Sequence, residues 1–83
     1  MTEETIKEMQ AYLQHVVDEE SDYCTVTVDE NGAVKVTGGC MDQEDWVDWG
    51  HDLCTYIGKE FGYWDYNVCG SSDEKVEIER FKV

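Results

Sequence analysis

Apolar residues recur at three- and four-residue spacing in two stretches of the chain and at every second residue in four shorter ones. Between residues 2 and 20, Ile6, Met9, Leu13, Val16 and Val17 share one side of a helical projection, with Glu4, Glu8, His15, Asp18 and Glu19 on the other. Two starts compete for this helix: Thr5 with Glu8 has capping-box spacing, and Thr2 stands before two glutamates. The second helical stretch runs from Asp42 to Phe61. Trp46, Gly50, Leu53, Cys54, Ile57 and Phe61 form its apolar side, while Asp45, Asp48, Asp52, Thr55 and Lys59 form the opposite one. Trp49 and Tyr56, seven residues apart, fall on the seam beside the acidic stripe. Asp42 is the expected cap, with Met41 stapled onto Trp46. Gly50 faces the core, where close packing on a strand would explain it. Gly58 has no such explanation, so the helix is expected to fray or end there, or else to close at Gly62.

Residues 23–38 alternate as a hairpin. Cys24, Val26 and Val28 lie on one face, and Val34 and Val36 answer them on the return. A two-residue Asn-Gly turn would set Val28 against Lys35. A three-residue loop, Glu30-Asn31-Gly32 with Gly32 left-handed, sets Val28 against Val34 and Val26 against Val36, and is the turn expected. A second hairpin spans 63–83, with Trp64, Tyr66 and Val68 alternating, a turn at Gly70-Ser71-Ser72-Asp73, and Val76 and Ile78 returning. Alternation breaks at Arg80, which implies a bulge near Glu79 or a frayed edge. The result is one α+β domain over residues 1–83, ordered helix-strand-strand-helix-strand-strand. A mainly antiparallel four-stranded sheet carries both helices on one face. Its second face is partly wet, offering Tyr23, Thr25, Thr27, Lys35, Thr37, Asp65 and Asn67.

Charge narrows the function. Twenty acids against six bases give a formal net charge of −14 in 83 residues. Such a surface repels nucleic acid, whose binders need Lys and Arg for phosphates, and attracts a basic protein through fast, salt-sensitive association. Aromatic content of 12% sets the chain apart from disordered acidic tails. The acidity has bland sources as well: acids in the first turn of a helix favour its dipole, and a charged outer face keeps a small domain in solution. Asp48 and Asp52 lie beyond the first turn and are not covered by the dipole.

Catalytic chemistry finds little support. No nucleophile elbow, glycine-rich phosphate loop or EF-hand spacing is present, and a domain of this size leaves little room for a pocket. The protein is expected not to be an enzyme and to need no cofactor or metal. His51 and Cys54 stand three apart but would need two distant partners to hold zinc. Cys24, Cys40, Cys54 and Cys69 are expected to be reduced thiols packed as small hydrophobes. With no apolar run in the first residues and no long apolar stretch, the expected location is the cytoplasm of a host cell, off the membrane.

In size, acidity, αβ layout and absence of catalytic motifs, the chain resembles the small acidic inhibitors that phages and mobile elements direct against host nucleases, the anti-CRISPR and anti-restriction DNA mimics. The resemblance lies in composition and involves no shared motif. It implies a protein that occupies the phosphate-binding surface of a basic nucleic-acid-binding partner, such as a CRISPR effector or nuclease, without touching nucleic acid itself. The residues placed to do so are Glu44, Asp45, Asp48 and Asp52, anchored by Trp49 and Tyr56. An immunity protein against a nuclease toxin resembles the chain nearly as well, and a non-inhibitory acidic interaction or housekeeping domain is the structural alternative. Oligomeric state is left open.

Overall fold

The computed structural model describes residues 2–20, 24–39 and 42–81. Two helices and four strands follow one another as α1 (Glu3–Glu20), β1 (Thr25–Val28), β2 (Val34–Thr37), α2 (Gln43–Phe61), β3 (Tyr66–Ser72) and β4 (Lys75–Arg80). The strands form one antiparallel sheet in the order β1-β2-β4-β3, the α+β arrangement that the alternating patterns require. Exchanging the two helix-strand-strand halves leaves that order unchanged, so the halves share topology and pattern although they do not share residues.

Register in the first hairpin follows from burying both valine pairs. Val26 faces Val36 and Val28 faces Val34. The loop is the three-residue one: the Asp29 N–H donates to the Ala33 carbonyl at 3.0 Å, and Gly32 takes φ 85°, a left-handed value that any side chain would strain. The Asp29 carboxylate accepts the N–H groups of Asn31 and Ala33 at 2.8 and 2.9 Å, so this acid builds its own turn.

Alternate strand residues meet both helices on one face. Val26, Val34, Val36, Val76 and Ile78 from the sheet pack with Met9, Leu13 and Val17 of α1 and with Trp46, Leu53 and Ile57 of α2, all essentially fully buried. Tyr12 of α1 meets Phe61 of α2 edge-on at 5.8 Å between ring centres, tying the helices together. The opposite sheet face carries Thr25, Thr27, Lys35 and Asn67 exposed and Thr37 half-buried, as the alternation predicts. Tyr23 and the Met41 staple lie outside the described residues.

The α1 cap goes to Thr2, whose hydroxyl accepts the Thr5 N–H at 3.2 Å, and not to Thr5 with Glu8. In α2 the Asp42 carboxylate accepts the Asp45 N–H at 2.9 Å, and Gly62 closes the far end in a left-handed conformation.

Gly50 sits where the helix touches the sheet. A Cβ there would lie 2.8 Å from a Val76 methyl and 3.0 Å from Val68. Gly50→Ala should therefore lower stability. Alanine gains ~1 kcal/mol of helix propensity, but overpacking a core costs ~1–3 kcal/mol. A lower urea midpoint checks this; a higher one would show that α2 can lift from the sheet at little cost.

Three expectations need correction. Gly58 neither frays nor ends α2; it is buried, and the Trp64 ring lies so close over it that a Cβ would overlap the indole. The helix tolerates glycine there because an aromatic ring needs the space. In the second hairpin, Trp64 precedes the strand, and the turn falls at Asp73-Glu74. The bulge lies in β3 between Cys69 and Ser72, where Gly70 has φ 62°, while Asn67 and Glu79 pair regularly.

Arg80 breaks the alternation for a different reason. At the end of the inner face its Nε donates to Asp65 at 2.8 Å, and its guanidinium lies 4.8 Å from the centre of the Tyr63 ring. That hydrogen bond holds the Asp65 carboxyl below the usual carboxylate range. The pair's contribution is complete above the unfolded pKa of ~3.9 and is lost as pH falls through the lower folded value. The unfolding midpoints of wild type and Asp65→Asn should differ at neutral pH and converge on acidification.

Candidate partner-binding surface

The acidic stripe of α2 exists as a surface because the helix's other side is fully committed to the core. Glu44, Asp45, Asp48 and Asp52 are all exposed. Along the axis, Asp45, Asp48 and Asp52 are separated by ~4.5 and ~6 Å at the α-helical rise. Both ends of the helix are capped and its centre is fixed by the Gly50 contact, so the row is rigid.

The two seam aromatics separate. Tyr56 stays 37% exposed beside the stripe. Trp49, at nearly the same azimuth, is only 7% exposed, with its ring tilted against Trp46 at 5.5 Å. The larger ring gains more by leaving water, and Trp46 gives it an apolar wall. Trp49 is thus a core residue and offers a partner no anchoring area; that role falls to Tyr56 alone.

Ion pairing leaves the stripe out. Glu77 takes both Lys35 at 3.6 Å and Lys75 at 3.3 Å on the open sheet face. Arg80 is held by Asp65 and Lys7 by Glu3. Among the described residues, no lysine, arginine or histidine comes within ion-pair distance of Glu44, Asp45, Asp48 or Asp52.

The charge is lopsided as well as large. α1 carries six carboxylates and one lysine, and α2 with its Asp42 cap carries the same. The open sheet face sets Glu77 and Glu79 against Lys35 and Lys75. Most of the negative charge therefore lies on the helical layer, and the sheet's outer face is close to neutral. At the α1 C-terminus Asp18, Glu19 and Glu20 have no basic residue in the last turn to offset the dipole. His15 is exposed there and reaches Glu19 at 3.3 Å.

Cys54, half-buried on α2, has its thiol pushed up to about 11 by burial, so it is protonated at neutral pH and a poor nucleophile. Cys24, Cys54 and Cys69 are free thiols, with Cys24 buried as a small hydrophobe; Cys40 lies outside the described residues. Among the described residues no three His, Cys, Asp or Glu side chains gather as metal ligands, and no helix is long and apolar enough to cross a membrane.

One arrangement escaped the sequence reading. Gln10 and Gln14 reach from α1 to the outer edge of β1. Gln10 accepts the Val28 N–H at 3.2 Å; Gln14 accepts the Val26 N–H at 2.9 Å and donates to the Cys24 carbonyl at 3.0 Å. Two amides four residues apart on the flank of an apolar face were the available signal. The chain matches no protein-family model, no curated protein and no solved structure, so its own surface is the guide to its function.

Proposed function

We propose that this protein is an acidic inhibitor that occupies the phosphate-binding surface of a basic nucleic-acid-binding protein, of the anti-CRISPR or anti-restriction kind. One observation carries the reading: Glu44, Asp45, Asp48 and Asp52 of α2 are exposed in a rigid row, and among the described residues no cation comes within ion-pair distance of them. A row kept free of internal counter-charges has its full field available to a partner. Its spacing of ~4.5 to ~6 Å is of the same order as the ~3.4 Å between phosphates along one DNA strand. Lysines and arginines that line a nucleic-acid channel meet carboxylates where they would meet phosphates. Tyr56, beside the row, adds the kind of aromatic contact that interface hot spots favour. The inhibitor acts by occupation and catalyses nothing.

Capture from host lysate tests this. Immobilised protein should retain a nucleic-acid-binding protein at ~0.05 M salt and release it well below 1 M, because screening removes attraction between exposed charges. Mass spectrometry then identifies the partner. Retention of a nuclease or CRISPR effector supports the proposal. Salt-insensitive retention of a protein with no nucleic-acid site would overturn it.

A further inference from the structure

The two edges of the sheet are treated differently. At β1 the outward N–H groups of Val26 and Val28 are closed by the glutamine arms of α1. At β3 the Phe81 N–H donates to the Asp65 carbonyl at 2.8 Å, which makes that pair hydrogen-bonded. By antiparallel alternation the pairs at Asn67 and Cys69 are bonded too, and the N–H and carbonyl of Val68 point out of the sheet. On the neighbouring side of α2, Gly50 touches Val68, and Gly58 carries the Trp64 ring, itself 65% exposed. Such open edges invite another strand, and proteins ordinarily defend them with charge, bulges or cover; the β3 bulge lies beyond Cys69 and leaves Tyr66 to Cys69 regular. All seven residues of β3 are uncharged, in a chain with 31% charged residues.

We infer that β3 is a self-association edge, at which a second copy of this chain adds its own β3 antiparallel. Its neutrality selects the occupant. A basic partner gains nothing from an uncharged strand and is drawn to the helical layer. Two copies at −14 repel each other across that layer; at β3 the strand itself carries no charge, and Glu77, which lies over Gly70, is already paired with Lys35 and Lys75. Pairing Val68 with Val68 of the second copy satisfies both outward groups reciprocally, as a two-fold interface requires. It sets Asn67 against Cys69 of the second copy on the open face and covers apolar surface around Trp64. The joined sheet has eight strands, with both acidic helical layers on one side. The inference is independent of what those layers bind.

Sedimentation of the purified chain from micromolar to millimolar concentration, in ~0.3 M salt to shorten the Debye length, should show conversion from 9.6 kDa to twice that mass. Val68→Pro removes the outward N–H without removing a β3–β4 ladder bond and should remain at the single-chain mass. Asn67→Cys supplies an independent readout. The expected register makes residues 67 and 69 a non-hydrogen-bonded pair with Cα atoms ~4.5 Å apart, inside disulfide range. Diamide should then yield a covalent dimer that Asn67→Cys combined with Cys69→Ser does not form. If the proline variant loses its fold by circular dichroism, the cross-link decides. A single-chain mass throughout, a folded Val68→Pro variant that still dimerises, or a folded Asn67→Cys variant that gives no Cys69-dependent dimer would overturn the inference.

Discussion

Trp46→Ala should leave most of the population unfolded at 25 °C. Trp46 is fully buried beneath α2, meets Trp49, and donates its indole N–H to the Asp73 carbonyl at 2.8 Å, pinning the β3–β4 turn to the helix. Truncating a buried tryptophan costs ~3–5 kcal/mol. Domains this small sit near the low end of the ~5–15 kcal/mol range of total stability, and mutual repulsion among twenty carboxylates lowers it further. Trp46→Phe keeps much of the packing and should lower the urea midpoint while leaving a cooperative transition; the lost hydrogen bond accounts for ~1 kcal/mol of that. Far-ultraviolet circular dichroism across a urea series separates the two variants. A wild-type midpoint for Trp46→Ala would show that the core does not depend on this residue.

The second large effect concerns binding. Asp48→Lys with Asp52→Lys should fold normally and bind the partner at least ~100-fold more weakly. Both side chains are exposed and have no cationic partner among the described residues, so their reversal breaks no internal ion pair and eases self-repulsion. Losing one desolvated charge contact costs ~2–5 kcal/mol, where 1.4 kcal/mol is tenfold, and reversal adds repulsion to the loss. Isothermal titration at low salt reads the change directly. An unaltered midpoint with unaltered affinity would remove these two residues from the interface.

Much of the fold was legible because burial of one face imposes a period that local chemistry confirms. Matching Val26 with Val36 and Val28 with Val34 decided both the register and the length of the first loop. Asp42 marked the start of α2 by residue type, whereas its end lay open between Gly58 and Gly62. What the pattern concealed was contact at a distance. Nothing near Gly58 in sequence announces that Trp64 folds back onto it. Arg80 reads as a broken alternation until Asp65 and Tyr63 are seen beside it. Trp49 shows a limit of helical projection: it shares an azimuth with Tyr56, but an adjacent Trp46 ring draws it inward. The acidic stripe itself was legible, because exposed carboxylates need only lie opposite the core. The absence of ion pairs along it was not, because that depends on where Lys35, Lys75 and Arg80 find their partners.

The proposed function turns on arrangement, since acidity alone would serve solubility equally well. Its most direct test is displacement of labelled duplex DNA from the captured partner by wild type, by Asp48→Lys with Asp52→Lys, and by Glu19→Lys with Glu20→Lys. The last two carry the same net charge, four units less negative than wild type, but place the change on α2 or at the end of α1. Wild type and the α1 variant should displace DNA alike, and the α2 variant should not. Equal displacement by both variants, or none by wild type, would contradict the claim that the α2 row stands in for a phosphate backbone.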